Sequence, residues 1–160
     1  MPTTSQVKQA GKILRAWARG ELVDVAKLYR ARATLLEFRA AHRLPLTTAN
    51  MGLRSMVRTE GCRMEISQRL KRVPTIIDKL KREPTMQLPN MQDIGGVRSI
   101  VDTIPEVRRI QRRLSHRRSV LRVSDYIVQP RSSGYRSVHV VVEYGGRAIE
   151  VQLRTQVMHE

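Results

Sequence analysis

The pair Gly145-Gly146 is the feature that most restricts how this chain can fold. Two glycines between two alternating apolar and polar runs are typical of a tight β-hairpin, because glycine readily adopts the positive φ angles of such turns. The runs on either side, residues 137–144 and 148–154, alternate in this way. We therefore predict an antiparallel strand pair near the C-terminal end of the sequence.

Strand and helix patterns also alternate upstream of this hairpin. We predict strands at residues 63–69, 97–102 and 120–127, a helix that begins near Pro74, and a second helix over about residues 105–116. These elements predict an α+β fold, in which a mixed sheet of about five strands is flanked by helices.

The N-terminal third is predicted to be helical. Apolar residues recur at helical intervals over residues 6–42, with a break near Gly20. Residues 44–50 are interpreted as a connection, and residues 51–58 as a short helix. The chain thus divides into two parts of one structural domain, an N-terminal helical arm over residues 1–60 and an α+β part over residues 61–160.

The charge of the chain points to an anionic partner. The 160 residues carry a formal charge of +16, from 30 Lys and Arg against 14 Asp and Glu. Such a field attracts nucleic acid, nucleotides, acidic proteins or anionic membranes, and charge alone does not distinguish among them. The single cysteine, Cys62, excludes an intrachain disulfide, and no apolar run has the length of a transmembrane helix. We expect a soluble, cytoplasmic protein without a membrane partner.

A basic helix face follows the first predicted strand. Thr75, Lys79 and Arg82 are spaced to share one face of the helix that begins near Pro74, and Arg69 and Lys71 precede it. A helix N-terminus with a hydroxyl group and several cations can hold phosphates. An ordinary solvated basic face explains the same spacing.

Two carboxylates stand at separate places in the sequence. Asp93 precedes a predicted strand in Asp93-Ile-Gly-Gly-Val-Arg98, and its two glycines permit close backbone approach. Glu150, Gln152 and Arg154 alternate with apolar residues, so they share one strand face. If Asp93 and Glu150 meet across the sheet, they can share a metal ion, or Glu150 can act as a general base.

A basic loop carries an aromatic side chain. In the segment 130–135 (Pro-Arg-Ser-Ser-Gly-Tyr), Tyr135 is suited to stacking on a base, with Arg131 nearby for phosphate. His139 follows on a predicted strand. A further basic surface is predicted on the helix at 106–118, which carries six arginines. It is either a contact for RNA or a solvated face, and the scarcity of acids near it in the sequence favours contact.

Four motifs in this order resemble those of the synthetase domain of RelA/SpoT-type alarmone synthetases, a family that includes small alarmone synthetases. P-loop, kinase and zinc deaminase motifs are absent from the sequence. The matching motifs are Arg69/Lys71/Thr75/Ile76/Lys79/Arg82, Asp93–Arg98, Asp125–His139 and Glu150–Thr155. Thr75 replaces the family's serine, and Arg131 its lysine.

The resemblance implies a nucleotidyltransferase-like fold and a pyrophosphokinase that uses Mg²⁺. Such an enzyme transfers the β,γ-diphosphate of ATP to the ribose 3′-hydroxyl of GDP or GTP. By position, Asp93 and Glu150 would be catalytic and metal-binding, with Glu150 as second ligand or base. The implied ATP-binding residues are Arg69, Lys71, Thr75, Lys79, Arg82 and Arg98. The implied acceptor-binding residues are Arg131, Tyr135, His139 and Gln152.

Other acceptors and partners stay open at this point. Toxic small synthetases of toxin–antitoxin or phage-defence pairs make adenosine alarmones or modify the 3′ end of tRNA, and the basic helix favours a tRNA acceptor. A non-catalytic RNA-binding module is a third hypothesis. An antitoxin and a second copy of the chain are further expected partners. The sequence ends at Glu160, before the Trp-Ala segment with which family members continue, so a truncated chain or a short variant explains the difference.

Overall fold

Five strands form one mixed sheet in the computed structural model, which describes residues 1–134 and 136–156. In chain order they are β1 (Ile66–Leu70), β2 (Gly95–Val101), β3 (Val120–Asp125), β4 (Val138–Tyr144) and β5 (Arg147–Thr155). The order across the sheet is β1-β2-β5-β4-β3. The β2–β5 pair is parallel, and the other three pairs are antiparallel. The predicted α+β fold is confirmed.

The predicted hairpin joins β4 and β5. Its two glycines have positive φ angles, 54° at Gly145 and 76° at Gly146, and Tyr144 pairs with Arg147 across the turn. Positive φ at both central residues is the conformation that a two-residue hairpin of this type requires. The antiparallel pair predicted from the sequence is therefore confirmed.

Helices pack on one face of the sheet and against one another. They are α1 (Thr4–Ala18), α2 (Val25–Ala40), α3 (Arg43–Thr59), α4 (Val73–Arg82) and α5 (Ile104–Arg117). The predicted break near Gly20 is confirmed, since this glycine has a φ of 79° between α1 and α2. Within the described residues, no helix has both the length and the apolar character needed to cross a lipid bilayer.

The connection predicted at residues 44–50 is wrong, because α3 runs through it without interruption. Pro45 lies in the first turn of α3, where a missing N–H removes no helical hydrogen bond. Leu46, Ala49 and Leu53 then form a buried stripe at helical spacing. The first strand also begins later than predicted, at Ile66.

Two apolar clusters hold these layers together. In the first, α3 and α5 pack against buried side chains of β2, β4 and β5. In the second, α1 and α2 pack against α4 and the short 3₁₀ helix Leu88–Asn90. Helix α3 ends before residue 60 and contacts strands that follow it. The division of the chain into two parts at residue 60 stays a prediction. The opposite face of the sheet is left for polar side chains.

Arginines of the N-terminal helices hold α4 and the chain before it. The Arg15 guanidinium donates to the carbonyl oxygens of Leu80 at 2.6 Å and Glu83 at 3.0 Å, and also to that of Met86. Arg39 Nε donates to the Lys71 carbonyl at 2.7 Å. Carbonyls at a helix C-terminus lack helical partners, so Arg15 caps α4. Local sequence gives no sign of these contacts, because the partners of Arg15 lie 65 or more residues away.

A buried histidine makes the fold sensitive to pH. The His42 side chain is enclosed between α2 and α3, and its Nδ1 donates to the Phe38 carbonyl at 2.8 Å. Burial lowers the pKa of His42; the Phe38 hydrogen bond opposes this shift, and the nearby Arg147 charge adds to it. The folded protein therefore keeps His42 neutral at pH values where the unfolded chain binds a proton.

The free energy of unfolding is expected to fall as the pH drops through about 6.5, the ordinary histidine value, by up to about 1.4 kcal/mol per pH unit for this group. In His42→Gln, which retains a side-chain donor, the pH dependence should be weaker. Urea unfolding of the native protein and of His42→Gln at pH 5 to 8 measures this pH dependence. His139 contributes to both proteins alike, so equal pH slopes would contradict this role of His42.

Candidate functional site

The polar face of the sheet carries two rows of side chains that cross all five strands. Because paired residues on neighbouring strands point to the same face, the register defines both rows. From β1 to β3, the first row is Arg69, Gly96, Glu150, Val141 and Arg122. The second row is Ser67, Arg98, Gln152, His139 and Ser124. Seven of these ten residues lie in the four sequence motifs or beside them.

A first cleft of about 310 Å³ lies over β1, β2 and β5. Its lining includes Arg69, Asp93, Gly96, Arg98, Glu150 and Gln152. Gly96 leaves its floor open: a Cβ atom there would meet nothing nearer than the Glu150 carbonyl oxygen, at 3.7 Å. Gly95 serves packing on the other face, where a Cβ atom would lie 2.9 Å from Ile149 Cδ1.

A second cleft of about 240 Å³ lies over β5, β4 and β3, beside α4. Its lining includes Lys79, Asp93, Arg122, Tyr126, Arg131, His139 and Glu150. The two clefts share two lining residues, Asp93 and Glu150. The sequence left open whether these carboxylates meet, and the structure places both at the boundary between two neighbouring cavities.

Two lysines neutralise Asp93. Lys71 Nζ donates to Asp93 Oδ2 at 2.8 Å, and Lys79 Nζ donates to Oδ1 at 3.1 Å. Burial of Asp93 raises the pKa of its carboxyl, but the hydrogen bonds and charges of Lys71 and Lys79 outweigh it and hold the pKa below its ordinary value. Asp93 is therefore an anion at neutral pH. It lies two residues before β2 and lines both clefts together with Glu150.

Glu150 has polar neighbours from its own strand and from β4. Gln152 Nε2 donates to Glu150 Oε1 at 2.8 Å, which shows that the two side chains share a face as predicted. His139 Nδ1 lies 3.7 Å from the same oxygen. Burial lowers the pKa of His139, and the charges of Arg131 and Arg154 act in the same direction, whereas Glu150 and Asp93 raise it. The net lowering leaves His139 neutral at physiological pH.

The donor set at this boundary fits Mg²⁺. Magnesium in phosphate-transfer sites is held by one or two carboxylates together with substrate phosphates, and Asp93 and Glu150 supply two carboxylates. Within the described residues, no group of three or more His, Cys, Asp or Glu side chains could enclose an ion.

Three predicted site residues in the described part of the chain, Lys71, Thr75 and Arg82, do not line either cleft. Arg82 is exposed and pairs with Asp78 at 2.8 Å. Thr75 lies in the first turn of α4 and lines neither cavity. Tyr135 lies outside the described residues. The roles of all the predicted site residues stay predictions. Gln152, which is predicted to bind the acceptor, lines the first cleft.

The arginines of α5 have acidic partners that the sequence did not indicate. Arg113 Nη2 lies 2.5 Å and Arg109 Nε 3.2 Å from Glu60, at the end of α3. Arg108 Nη1 lies 2.6 Å from Asp125. The prediction that few acids balance this helix is therefore wrong for these three side chains. Their partners lie 17 to 53 residues away in the chain.

Comparison with known proteins identifies the family of this chain. Residues 68–160, more than half of the chain, match the model of a region found in RelA / SpoT proteins. The chain belongs to the RelA/SpoT family. The matched residues contain every side chain shared by the two clefts and all four motifs.

Individual relatives, known from their sequences or from solved structures, agree with this family assignment. The chain is 31% identical over 106 residues to the GTP pyrophosphokinase YjbM of Bacillus subtilis, which covers 59% of this chain and 50% of that protein. The chain thus spans about half the length of this RelA/SpoT relative. A GTP pyrophosphokinase family protein from Streptococcus pneumoniae superposes with a TM-score of 0.71 at 27% identity, covering 78% of this chain and 71% of the other.

A second solved relative carries a nucleotide. The small alarmone synthetase 1 of Bacillus subtilis, bound to its product pppGpp, has a TM-score of 0.70 at 26% identity and covers 79% of this chain and 76% of the other. The RelA/SpoT fold predicted from the sequence is therefore confirmed.

Proposed function

We propose that this chain is a pyrophosphokinase that transfers the β,γ-diphosphate of ATP to the 3′-hydroxyl of GDP or GTP, and so makes (p)ppGpp. One observation carries the proposal: two neighbouring clefts share Asp93 and Glu150. A transfer between two nucleotides needs two adjoining binding sites, and groups where they meet that neutralise the charge of the phosphates. The relatives named GTP pyrophosphokinase and the relative with bound pppGpp support the same reaction.

The first cleft suits the donor base. Arg69 pairs with Gly96, and Arg98 is two residues further along β2, so the two arginines are diagonal neighbours. Diagonal positions on paired strands are about 7–8 Å apart, about twice the 3.5 Å contact distance between stacked atoms. A planar adenine fits between the two guanidinium groups, above the open floor at Gly96.

The boundary between the clefts suits the phosphates and the attacking hydroxyl. Lys71 and Lys79, which neutralise Asp93, would share their charge with the ATP phosphates. Asp93 and Glu150 would hold Mg²⁺, which neutralises phosphate charge when it is bound. Glu150 would orient the acceptor 3′-hydroxyl and accept its proton, since it faces the second cleft as well as the first.

Incubation with γ-labelled ATP and one acceptor at a time tests the proposal. Label should pass to GDP and GTP in preference to AMP and deacylated tRNA. Transfer to AMP or to tRNA alone would reject the guanine nucleotide and favour the corresponding alternative. Transfer to none of the four would reject the pyrophosphokinase assignment.

Arg112 and Arg117 provide the test of a tRNA acceptor. Both are exposed on α5 and line a surface depression beside Glu60. Changing both to glutamate leaves the pairs of Glu60 with Arg109 and Arg113 in place. If tRNA is bound there, each lost phosphate contact should flatten the log–log salt dependence of tRNA binding by roughly 0.7–0.9. Filter binding over a salt series measures this slope.

The matched control for this pair is Arg30→Glu with Arg32→Glu on α2, which changes the net charge equally. Equal tRNA affinity and salt slope in both double variants would show that α5 has only a solvated basic face. Homo-oligomerisation and an antitoxin partner stay predictions of the family resemblance.

A further inference from the structure

A two-residue connection, Lys71 and Arg72, joins β1 to α4. The main chain of its first residue is held on both sides. The Lys71 N–H donates to the Ile94 carbonyl at 2.7 Å, and the Lys71 carbonyl accepts a hydrogen bond from Arg39 Nε, also at 2.7 Å. The first contact comes from the segment just before β2 and the second from α2. Arg39 therefore ties the N-terminal helices to this connection.

Lys71 acts on the two clefts through Asp93. The whole residue is only 6% exposed and lines neither cleft, but its Nζ donates at 2.8 Å to Asp93, which lines both. A lysine side chain is a flexible stem with a single charge at its end. Where that charge lies depends on where the main chain is held, and Arg39 is one of the groups that hold it.

The Arg39 contact is costly to lose, because the carbonyl that it satisfies belongs to a buried residue. A buried carbonyl without a hydrogen-bond partner either stays unsatisfied or moves toward another donor. Such a movement of the Lys71 carbonyl would shift the main chain from which the lysine ammonium reaches Asp93. The contact thus connects a residue of α2 to the charge balance at the boundary of the clefts.

We propose that Arg39 is a positioning residue for the ATP site, which holds the main chain of Lys71 so that the lysine ammonium stays on Asp93. This inference rests on the proposed function, in which Lys71 contacts the ATP phosphates and Asp93 holds the metal ion. Arg39 lies outside the four motifs and before residue 68, where the match to the RelA/SpoT model begins. The inference therefore extends the ATP site to a residue of the N-terminal helices.

Arg39→Met tests the role, since it removes the guanidinium and keeps much of the apolar stem. The dissociation constant and the KM for ATP should rise on the order of 10-fold, the effect of losing one hydrogen bond from a charged group. The KM for GTP should stay unchanged. Arg39→Lys, whose ammonium can reach the same carbonyl, should recover most of the ATP affinity. Calorimetry with ATP alone and initial rates with labelled ATP measure these constants.

The matched control is Arg32→Met, which removes an exposed arginine from the same helix and should leave each constant unchanged. A double-mutant cycle with Lys71→Met separates positioning from a general structural role. Lys71→Met should fold, because Asp93 keeps its hydrogen bond from Lys79. If Arg39 acts through Lys71, adding Arg39→Met to Lys71→Met should cause no further loss of ATP affinity.

Additive effects of the two substitutions on ATP affinity would overturn the proposal, because Arg39 would then act elsewhere. An unchanged ATP affinity in Arg39→Met would overturn it, as would equal increases in the KM for ATP and for GTP. A circular dichroism spectrum of an unfolded Arg39→Met protein would overturn it as well, since the contact would then serve the whole fold.

Binding and transfer fail separately in this design. If the ATP affinity depends on Arg39 as expected but no label is transferred, the enzymatic proposal fails alone. If the native chain makes product and Arg39→Met performs equally, the role of Arg39 fails alone. If the native chain binds no ATP, both proposals fail.

Discussion

Glu150→Gln is expected to reduce diphosphate transfer to every acceptor by on the order of 100-fold or more, because it would remove the proposed base and metal ligand from the boundary of the two clefts. The substitution keeps the shape of the side chain. The matched control is Glu143→Gln, an exposed carboxylate on β4, which should retain full activity. Initial rates with labelled ATP, together with circular dichroism spectra, measure the effect. A folded Glu150→Gln variant with substantial activity would contradict the site.

Asp93→Asn should abolish transfer as strongly, but the structure adds a cost in stability. The Lys71 side chain is only 7% exposed, and Asp93 is its ion-pair partner. Removing one partner of a buried pair leaves the other charge uncompensated, which costs about 3–5 kcal/mol in well-buried cases. A lower free energy of unfolding is thus expected for Asp93→Asn and not for Glu150→Gln. Equal stability of the two variants would contradict the role of Asp93 as the counter-ion of Lys71.

Gly96→Val is expected to lower kcat/KM for ATP by about 100-fold, because a branched side chain there would fill the floor of the first cleft and displace the nucleotide. The strand itself should tolerate the change: valine favours β-structure, and a Cβ atom at Gly96 meets only the Glu150 carbonyl oxygen, at 3.7 Å. Initial rates at varied ATP concentration and the urea midpoint measure the two effects.

Gly95→Ala is the matched control on the opposite face of β2. Its added methyl group points at Ile149 and Leu46 in the core, so it should affect stability and leave the KM for ATP unchanged. If Gly95→Ala impaired ATP binding and Gly96→Val did not, the assignment of the two faces of β2 would be wrong.

The sequence was most informative where structure depends on neighbouring residues. Gly145 and Gly146 predicted the hairpin because positive φ is a local property of the turn. Alternation along β5 predicted the shared face of Glu150 and Gln152 because strand geometry repeats every two residues. The same local reasoning failed at Pro45, since a proline is equally compatible with a loop and with the first turn of a helix.

The motifs named the site residues, but only tertiary structure decided what each one contacts. The parallel pairing of β2 with β5 brings Gly96 beside Glu150 across 54 residues of chain. The same long-range packing gives Asp93 its two lysines, gives Arg109 and Arg113 their carboxylate at Glu60, and leaves Arg122 at the second cleft. Local sequence determined the elements and their polar faces, because backbone preferences act over a few residues. Which charges neutralise each other, and which remain for a ligand, depended on packing between distant segments that no local pattern encodes.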